Sequence, residues 1–428
     1  MSCREYAPPM TDLSRDAALA RDAGDPLASY VDRFVLTDPD LVYLDGNSLG
    51  RLPKPTVDRM RRTVEHEWGD GLIRSWSQWM DLPVTVGDLI GSALLGAAPG
   101  QVSVSDSTSV NLYKLAAAAL DARPGRRVIV TDDDNFPTDL YVLQGLAEQR
   151  GLDLRLVHTD IDGGISYGAV ADAVRDDVAL LCLSHVAYRS GALGDMAALS
   201  ALVHDAGALV LWDLSHAAGS VPVLLDADGA DLAVGCTYKY LCGGPGAPAF
   251  LYVRRELQRA LRSPIQGWFA QRDQFTMTGA FDPVETIGRF LVGSPPILQI
   301  AAVEEGARLL AEAGIDALRT KGVALTSYLI ELADAWLAPL GFRVASPRDP
   351  ARRGSHVSLH HPQAWQISQA LIAKAGVVPD YRTPERLRLG PAPLSTRYVD
   401  VWEGLDRLRR LVDSGAHEEF SAEPARVT

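Results

Sequence analysis

A chain of 428 residues with 47% hydrophobic and 22% charged side chains has ample material for a buried core and for two or three domains, and leaves little room for extended disorder. With 41 basic against 54 acidic residues the formal net charge is −13, which argues against a non-specific nucleic-acid or anionic-membrane surface. Cys3, Cys182, Cys236 and Cys242 show no C-x-x-C pair and no zinc or disulfide spacing; the N-terminus lacks an apolar signal core and no run of 18 apolar residues occurs, so a cytoplasmic protein without a metal site or a membrane span is expected.

Along the chain, "YLDGNSLGRLPKP" (43–55) reads as a turn-rich opening and "TVDRMRRTVEHEW" (56–68) as the helix that follows. "SDSTSVNLYKLAAAAL" (105–120) opens a helix with small hydroxyl residues; Asp106, Ser107 or Thr108 can cap it, and its free backbone N–H groups form an anion site, two readings that are compatible. From about residue 125, β-branched runs alternate with amphipathic segments: "RRVIVT", "TDLYVLQGLAEQRG", "DLRLVHT", "YGAVADAVRD", "VALLCLSHV", "MAALSALVHDAG" and "ALVLWDLSH". That is the pattern of βα units feeding a mostly parallel sheet with helices on both faces. "AAVEEGARLLAEAG" and "ALTSYLIELADAWLAPLG" predict two long helices bridging to a smaller α+β unit, which comprises "HVSLHH", "AWQISQALIAKAG", "RLRLGPAPL" and "VDVWEGLDRLRRLVDSG". The boundaries expected are an N-terminal arm over 1–50, a large domain over 51–305 and a small domain over 306–428, whose polar end after about residue 415 is expected to fray.

Ligands collect at the carboxyl ends of strands in such sheets. The clusters "TDDDNFPTD", "SHVAYRSG" and "DLSHAAG" fall there and should converge. Lys239, in "CTYKYLCGGPG", stands 26 residues after Asp213, at the end of what reads as a further strand. An unpaired buried ammonium is costly, but a deprotonated lysine amine is a nucleophile. Pyridoxal phosphate needs such an amine for a Schiff base, a carboxylate on its ring nitrogen and donors for its phosphate. Taken alone, an Asp and a Lys at strand ends are more often a cap, a salt bridge or a solvated loop. Phe136 fits either a stacking ring or the core, and His216 either a cofactor contact or a core histidine.

Seven motifs in order, "YLDGNSLG", "SDSTSVNL", "NFPTD", "WDLSHAAG", "CTYKYLCGGPG", "GWF" and "RLRLGPAPL", resemble those of the kynureninase family over about residues 40–412. The resemblance implies the aspartate-aminotransferase fold (type I of the pyridoxal-phosphate enzymes), with a mostly parallel seven-stranded sheet between helices and a smaller C-terminal domain. It implies Lys239 as the Schiff-base lysine, Asp213 on the pyridinium nitrogen with His216 beside it, Phe136 on the ring and Asp139 at its polar edge. Thr108, Ser109, Tyr238 and Trp268 become cofactor and phosphate contacts with Ser184 nearby, and Ser294 matches a position often supplied by the partner subunit of a homodimer. Arg388 would take the substrate carboxylate, with Ser48 and Trp76 on the substrate side, and Tyr238 would handle protons at Cβ and at the hydrated ketone. The implied reaction is hydrolytic Cβ–Cγ cleavage of kynurenine or 3-hydroxykynurenine to alanine and an aryl acid, in tryptophan catabolism.

Trp76 stands where bacterial members carry tryptophan and vertebrate ones histidine, which leans toward the unhydroxylated substrate. Ala187, Cys242, Ala270, Gln271 and Ser395 depart from the bacterial pattern, mostly on the substrate side, and keep a ring-substituted kynurenine open as the substrate. Other type I enzymes are rivals: a desulfurase needs a nucleophilic cysteine well beyond the lysine, and none follows Cys242; an aminotransferase would use the same Asp and Lys. A transcriptional regulator on this fold would need a basic DNA-binding module, and no such pattern precedes residue 40.

Overall fold

The structure is a computed structural model that describes residues 12–423; Cys3 and the first residues of the arm assigned to 1–50 lie outside the described residues, as do residues 424–428. Seven strands, β1 (Val102–Val104), β2 (Val128–Asp132), β3 (Asp153–Val157), β4 (Val178–Ser184), β5 (Leu209–Asp213), β6 (Leu232–Gly235) and β7 (Phe250–Val253), form one sheet in the order β1-β7-β6-β5-β4-β2-β3. All pairs are parallel except those of β7, which runs antiparallel to both β1 and β6. The short strands β1 and β7 were not legible in the sequence as strands.

A strand covered on both faces needs apolar residues at consecutive positions, because successive side chains point to opposite sides. In β4, Leu181 and Leu183 enter one core while Leu180 and Cys182 enter the other. The helix Thr108–Asp121 presses Ala116, Ala117, Ala118 and Ala119 into the second of these cores, small side chains that let it lie close to the sheet.

A further core joins Val42 and Leu44 to residues from Leu325 to Leu411. It fills an antiparallel sheet in the order Asp380–Arg382, Arg386–Leu389, Val357–His360, Arg343–Val344, packed by the helices Ile315–Leu332, Ala364–Ala370 and Tyr398–Asp413. Val42–Tyr43 pairs in parallel with Val377–Val378, so the segment before residue 50 packs with the C-terminal unit. The helix Ile315–Leu332 puts Leu318 in the large core and Leu325 in the C-terminal one; we therefore propose a boundary inside this helix rather than near residue 306. Through residue 340 it is long and apolar enough to cross a bilayer, yet Lys321 in its middle is buried and ion-paired with Asp25 at 2.7 Å, which marks it as a core helix. Of the end expected to fray after residue 415, residues 416–420 are docked: His417 is buried, Lys374 pairs with Glu419 at 2.6 Å, and Gln366 Nε2 donates to the Phe420 carbonyl at 2.8 Å.

The opening turn is pressed against the lysine-bearing turn. Gly50 N–H donates to the Tyr238 carbonyl at 2.8 Å, and a Cβ at Gly50 would stand 2.3 Å from the Lys239 carbonyl oxygen, so only glycine fits there. Within the lysine turn, Cys242 N–H donates to the Lys239 carbonyl at 2.9 Å with Cys242 at φ +54°, a left-handed conformation that asparagine tolerates better than cysteine. Cys242→Asn should therefore stabilise the protein by about 1 kcal/mol, read as a rise of roughly 1–3 °C in melting temperature; a lower melting temperature would show that packing of the thiol outweighs the backbone strain.

Candidate active site

The polar strand ends do converge. A cavity of ≈ 440 Å³ opens at the carboxyl edge of the sheet, walled by Ser184 at the end of β4, Asp213 at the end of β5, Phe136 and Asp139 after β2, the start of the helix at Thr108 and Ser109, and the Tyr238–Lys239 turn after β6.

Of the three capping candidates, the structure selects Ser107, whose Oγ accepts from Val110 N–H at 3.3 Å. Thr108 and Ser109 are thereby left on the cavity wall, together with the unpaired amides of the first helical turn. Asp106, just before, has φ +54° and is held from inside the protein: the fully buried Lys114 donates to its Oδ2 at 2.7 Å and to the Phe290 carbonyl at 2.7 Å. Burial pushes the Lys114 amine down and Asp106 works against that shift. Lys114 escaped the sequence reading; its one signal is the lone lysine of an otherwise apolar helix.

Asp213 and Asp139 bring two carboxylates to one buried spot. Asp213 Oδ1 accepts from Ser215 N–H at 2.7 Å, whereas Asp139 Oδ2 has no partner. Burial, and after it the charge of Asp213, pushes the Asp139 carboxyl well above the ordinary carboxylate range. Two acids this close in a buried place cannot both be charged at little cost, so the proton Asp139 keeps serves the pair, which is suited to a cationic partner. Opposite them, Lys239 Nζ lies 3.0 Å from His216 Nε2 and 5.8 Å from the centre of the Phe136 ring. Burial, then Lys239 itself, lowers the His216 imidazole well below its usual range, so the ring is neutral and accepts from the lysine. The Tyr238 phenol is raised by burial first and by the neighbouring Cys236 second, and so keeps its proton. Ser184 Oγ donates to Asn135 Oδ1 at 2.8 Å.

This donor set fits pyridoxal phosphate: an amine for its aldehyde carbon, an acid pair with an unsatisfied oxygen for a protonated ring nitrogen, an aromatic face, and helix N–H groups with two hydroxyls for its phosphate.

Not every residue singled out in the sequence lines this cavity. Arg388 is buried behind its wall, donating to the Tyr188 carbonyl at 2.6 Å and to Ser48 Oγ at 2.9 Å and ion-paired with Asp380. With the Asn47 amide turned so that its oxygen faces the guanidinium, Nε and Nη2 reach it at 2.8 and 3.1 Å. Tyr188, Asn47 and Asp380 are thus the partners of Arg388, which the sequence reading did not single out, although Tyr188 and Asn47 lie inside stretches it quoted. Trp76, Trp268 and Ser294 sit together in a separate apolar pocket of ≈ 260 Å³ with Ile73, Phe269 and Phe275; within one chain they do not reach the lysine. Gln271 accepts from Asp282 N–H at 2.8 Å, Ala187 N–H donates to the Ala192 carbonyl at 2.8 Å, and Ala270 and Ser395 are buried.

Sheet order, helix-terminal hydroxyls and a lysine facing a strand-end acid define a type I pyridoxal-phosphate enzyme, the aspartate-aminotransferase fold. Solved structures agree on the fold: the apo cysteine desulfurase of Thermococcus onnurineus NA1 superposes with a TM-score of 0.79 at 19% identity over 90% of this chain and 98% of its own, and the cysteine desulfurase CsdA of Escherichia coli with 0.78 at 16% over 91% and 98%. Sequence narrows the class. Residues 318–408 match the family described as the kynureninase C-terminal domain. The kynureninase of Burkholderia pseudomallei (strain K96243) is 45% identical over 411 residues, 94% of this chain and 96% of that protein, and the kynureninase of Pseudomonas fluorescens is 43% identical over 408 residues, 94% and 96%. The chain belongs to the kynureninase family.

The acid pair makes a prediction for the protein without cofactor. An unfolded Asp139 ionises near pH 4, whereas the folded one holds its proton to higher pH, so the folded state binds more protons above pH 4 and its stability falls as the pH rises toward the elevated folded value. Asp139→Asn removes that loss. Calorimetry of the cofactor-free variant should show it melting above the parent at pH 8, by a few degrees, with the gap closing toward pH 4; a gap that widens in acid would contradict the shared proton.

Proposed function

We propose that this chain hydrolyses the Cβ–Cγ bond of L-kynurenine, giving anthranilate and L-alanine, with pyridoxal phosphate as its cofactor and a role in cytoplasmic tryptophan catabolism. The observation that carries the reading is Lys239 at 3.0 Å from a neutral His216, facing a paired Asp213 and Asp139. In this reading Lys239 holds the cofactor's aldehyde carbon, Asp213 its ring nitrogen, Phe136 its face, and Thr108, Ser109 and the helix N-terminus its phosphate. When bound, the cofactor supplies an electron sink for the bonds broken at Cα and between Cβ and Cγ.

The chain's own groups do the rest. Lys239 would move the Cα proton as a free amine, with His216 Nε2 as the acceptor that aims it. Tyr238, protonated at rest, would give its proton to Cβ as the Cβ–Cγ bond breaks and take its replacement from a hydroxyl of the hydrated γ-ketone. For the α-carboxylate, Arg388 exchanges the neutral oxygens of Tyr188 and Ser48 for a charged, two-pronged acceptor, while Asp380 and Asn47 keep the guanidinium oriented. Charge-assisted bonds are roughly twice as strong as neutral ones, which drives the exchange.

We also read the molecule as a two-fold homodimer. Trp68, Leu72, Ile73, Trp268 and Phe275 are all at least half exposed, a cluster that a second copy would cover while bringing Trp268 and Ser294 toward the other cavity, with Trp76 on the aryl side. Nucleic acid and membrane have no part in this reading.

Lys239→Ala should abolish the visible band of the reconstituted protein and its turnover while the melting temperature stays within a few degrees; a yellow, active variant refutes the assignment. Arg388→Lys should raise KM about tenfold or more with cofactor affinity unchanged, because the planar fork is lost; parallel loss of both would move Arg388 out of the substrate site. The reaction itself is tested by following anthranilate and 3-hydroxyanthranilate released from the two kynurenines, with alanine formed and no keto-acid acceptor required.

A further inference from the structure

One histidine beside the lysine belongs to the other half of the molecule. His356 immediately precedes the strand Val357–His360 of the C-terminal sheet and is fully buried; its ring nitrogens make no well-formed hydrogen bond, and the backbone group that bears on them is that of Tyr188, on the loop after β4. Buried polar atoms in folded proteins nearly always find firm partners, so a ring this loosely satisfied asks for an explanation. Its neighbours Ser355 and Ser358 are equally buried but satisfied: Ser355 Oγ donates to the Ser220 carbonyl at 3.2 Å and Ser358 Oγ to the Arg189 carbonyl.

The chain goes to some length to bring this ring in. The segment before the strand is clasped to the loop after β4: Gly354 N–H donates to the Gly191 carbonyl at 2.7 Å and Leu193 N–H to the Arg352 carbonyl at 2.9 Å. Gly191 has φ +71°, and a Cβ there would stand 2.8 Å from the His356 carbonyl oxygen and 3.2 Å from its Nε2, so the loop must be glycine for the histidine to fit. Ser220, which takes the Ser355 hydroxyl, itself donates to the His216 carbonyl at 3.0 Å. The clasp therefore delivers the His356 ring to the His216 ring, centroid to centroid 5.3 Å with planes at 55°.

We propose that His356 is a positioning residue: seated by the clasp between residues 352–358 and 189–193, its ring backs the His216 imidazole and holds Nε2 toward the Lys239 amine. The charged groups around the two rings are Lys239 on the lysine turn and Arg388 and Arg382 from the C-terminal sheet, with the Asp213 and Asp139 carboxylates beyond Lys239. A neutral imidazole is suited to that spot. It lies against the His216 ring, and burial keeps it from adding a further charge to a site already rich in cations. Because the clasp joins the C-terminal unit to the large sheet, the aim of Lys239 depends on how the two units are seated.

The inference rests on Lys239 carrying the cofactor, and the experiment separates the two. Borohydride reduction of the parent holoprotein followed by peptide mapping must find the cofactor on Lys239; a label elsewhere sinks that reading. With Lys239 confirmed, the visible absorbance of His356→Phe and His356→Asn holoproteins is titrated against pH, and cofactor dissociation, melting temperature, kcat and KM are measured. His356→Phe should shift the titration midpoint by about half a pH unit or more and lower kcat about tenfold, with KM changed less than threefold and the melting temperature of the cofactor-free protein within a few degrees of the parent's. His356→Asn, which restores a polar group, should lie between Phe and the parent. A midpoint equal to the parent's in a folded variant overturns the proposal, whatever the melting temperature does. Should the Phe variant not fold, the His356→Asn titration decides in the same way.

Discussion

The contact on which the rest of the site depends is a lysine amine held 3.0 Å from a neutral imidazole, both side chains buried at the wall of the cavity. A buried ammonium is tolerable only where acceptors and counter-charges are fixed around it. Here they come from every side: His216 three residues beyond the β5 carboxylate, the Asp213 and Asp139 pair, and the faces of Phe136 and Tyr238 at 5.8 and 5.9 Å. Four neighbouring strands, β2, β4, β5 and β6, contribute their groups at or just beyond their carboxyl ends, and the glycine contacts at residues 50 and 191 hold the backbone close enough for those groups to meet. A charge cluster of this kind stabilises little by itself. Its value is that the groups are already in place before a ligand arrives, so little reorganisation is left to do.

The pattern of alternating strands and helices from 125 to 216 was plain in the sequence because a doubly covered parallel sheet needs apolar runs whose length sets strand against helix. β1 and β7 were not, since three or four apolar residues between turns carry no period of their own. Lys239, Asp213, Phe136, Asp139, Thr108, Ser109, Ser184, His216 and Tyr238 were legible as one constellation and meet at one cavity. What stayed hidden were the supports: Lys114 beneath Asp106, Asp380 and Asn47 around Arg388, and His356 behind His216. Each acts through tertiary contact across tens to hundreds of residues, or, for Lys114, through a burial that an ordinary helical lysine does not announce.

The segregation of Trp76, Trp268 and Ser294 into their own pocket has a physical reading as well. Large apolar side chains left half exposed along 68–80 and 268–281 cannot be satisfied within the chain, because the loops that carry them project from the large core. Under the proposed dimer, a second copy would cover this outward-facing aromatic wall, and association and catalysis would be linked; the lysine cavity is the part that one chain builds alone.

The likeness to cysteine desulfurases shows how far a shared fold can be from a shared reaction. A desulfurase nucleophile must be an accessible thiol able to ionise. Among the described residues the free thiols are those of Cys182, Cys236 and Cys242. Burial raises all three: Cys182 and Cys236 lie in the sheet core, and Cys242, fixed at φ +54° in the lysine turn, is pushed up to about 12. None is a thiolate at neutral pH, and none sits on a segment free to swing toward Lys239. With no ionisable thiol among the described residues, the groups proposed to work in this site are an amine, a phenol and an arginine, a set that suits moving protons about a carboxylate-anchored amino acid and leaves attack on the ketone to water.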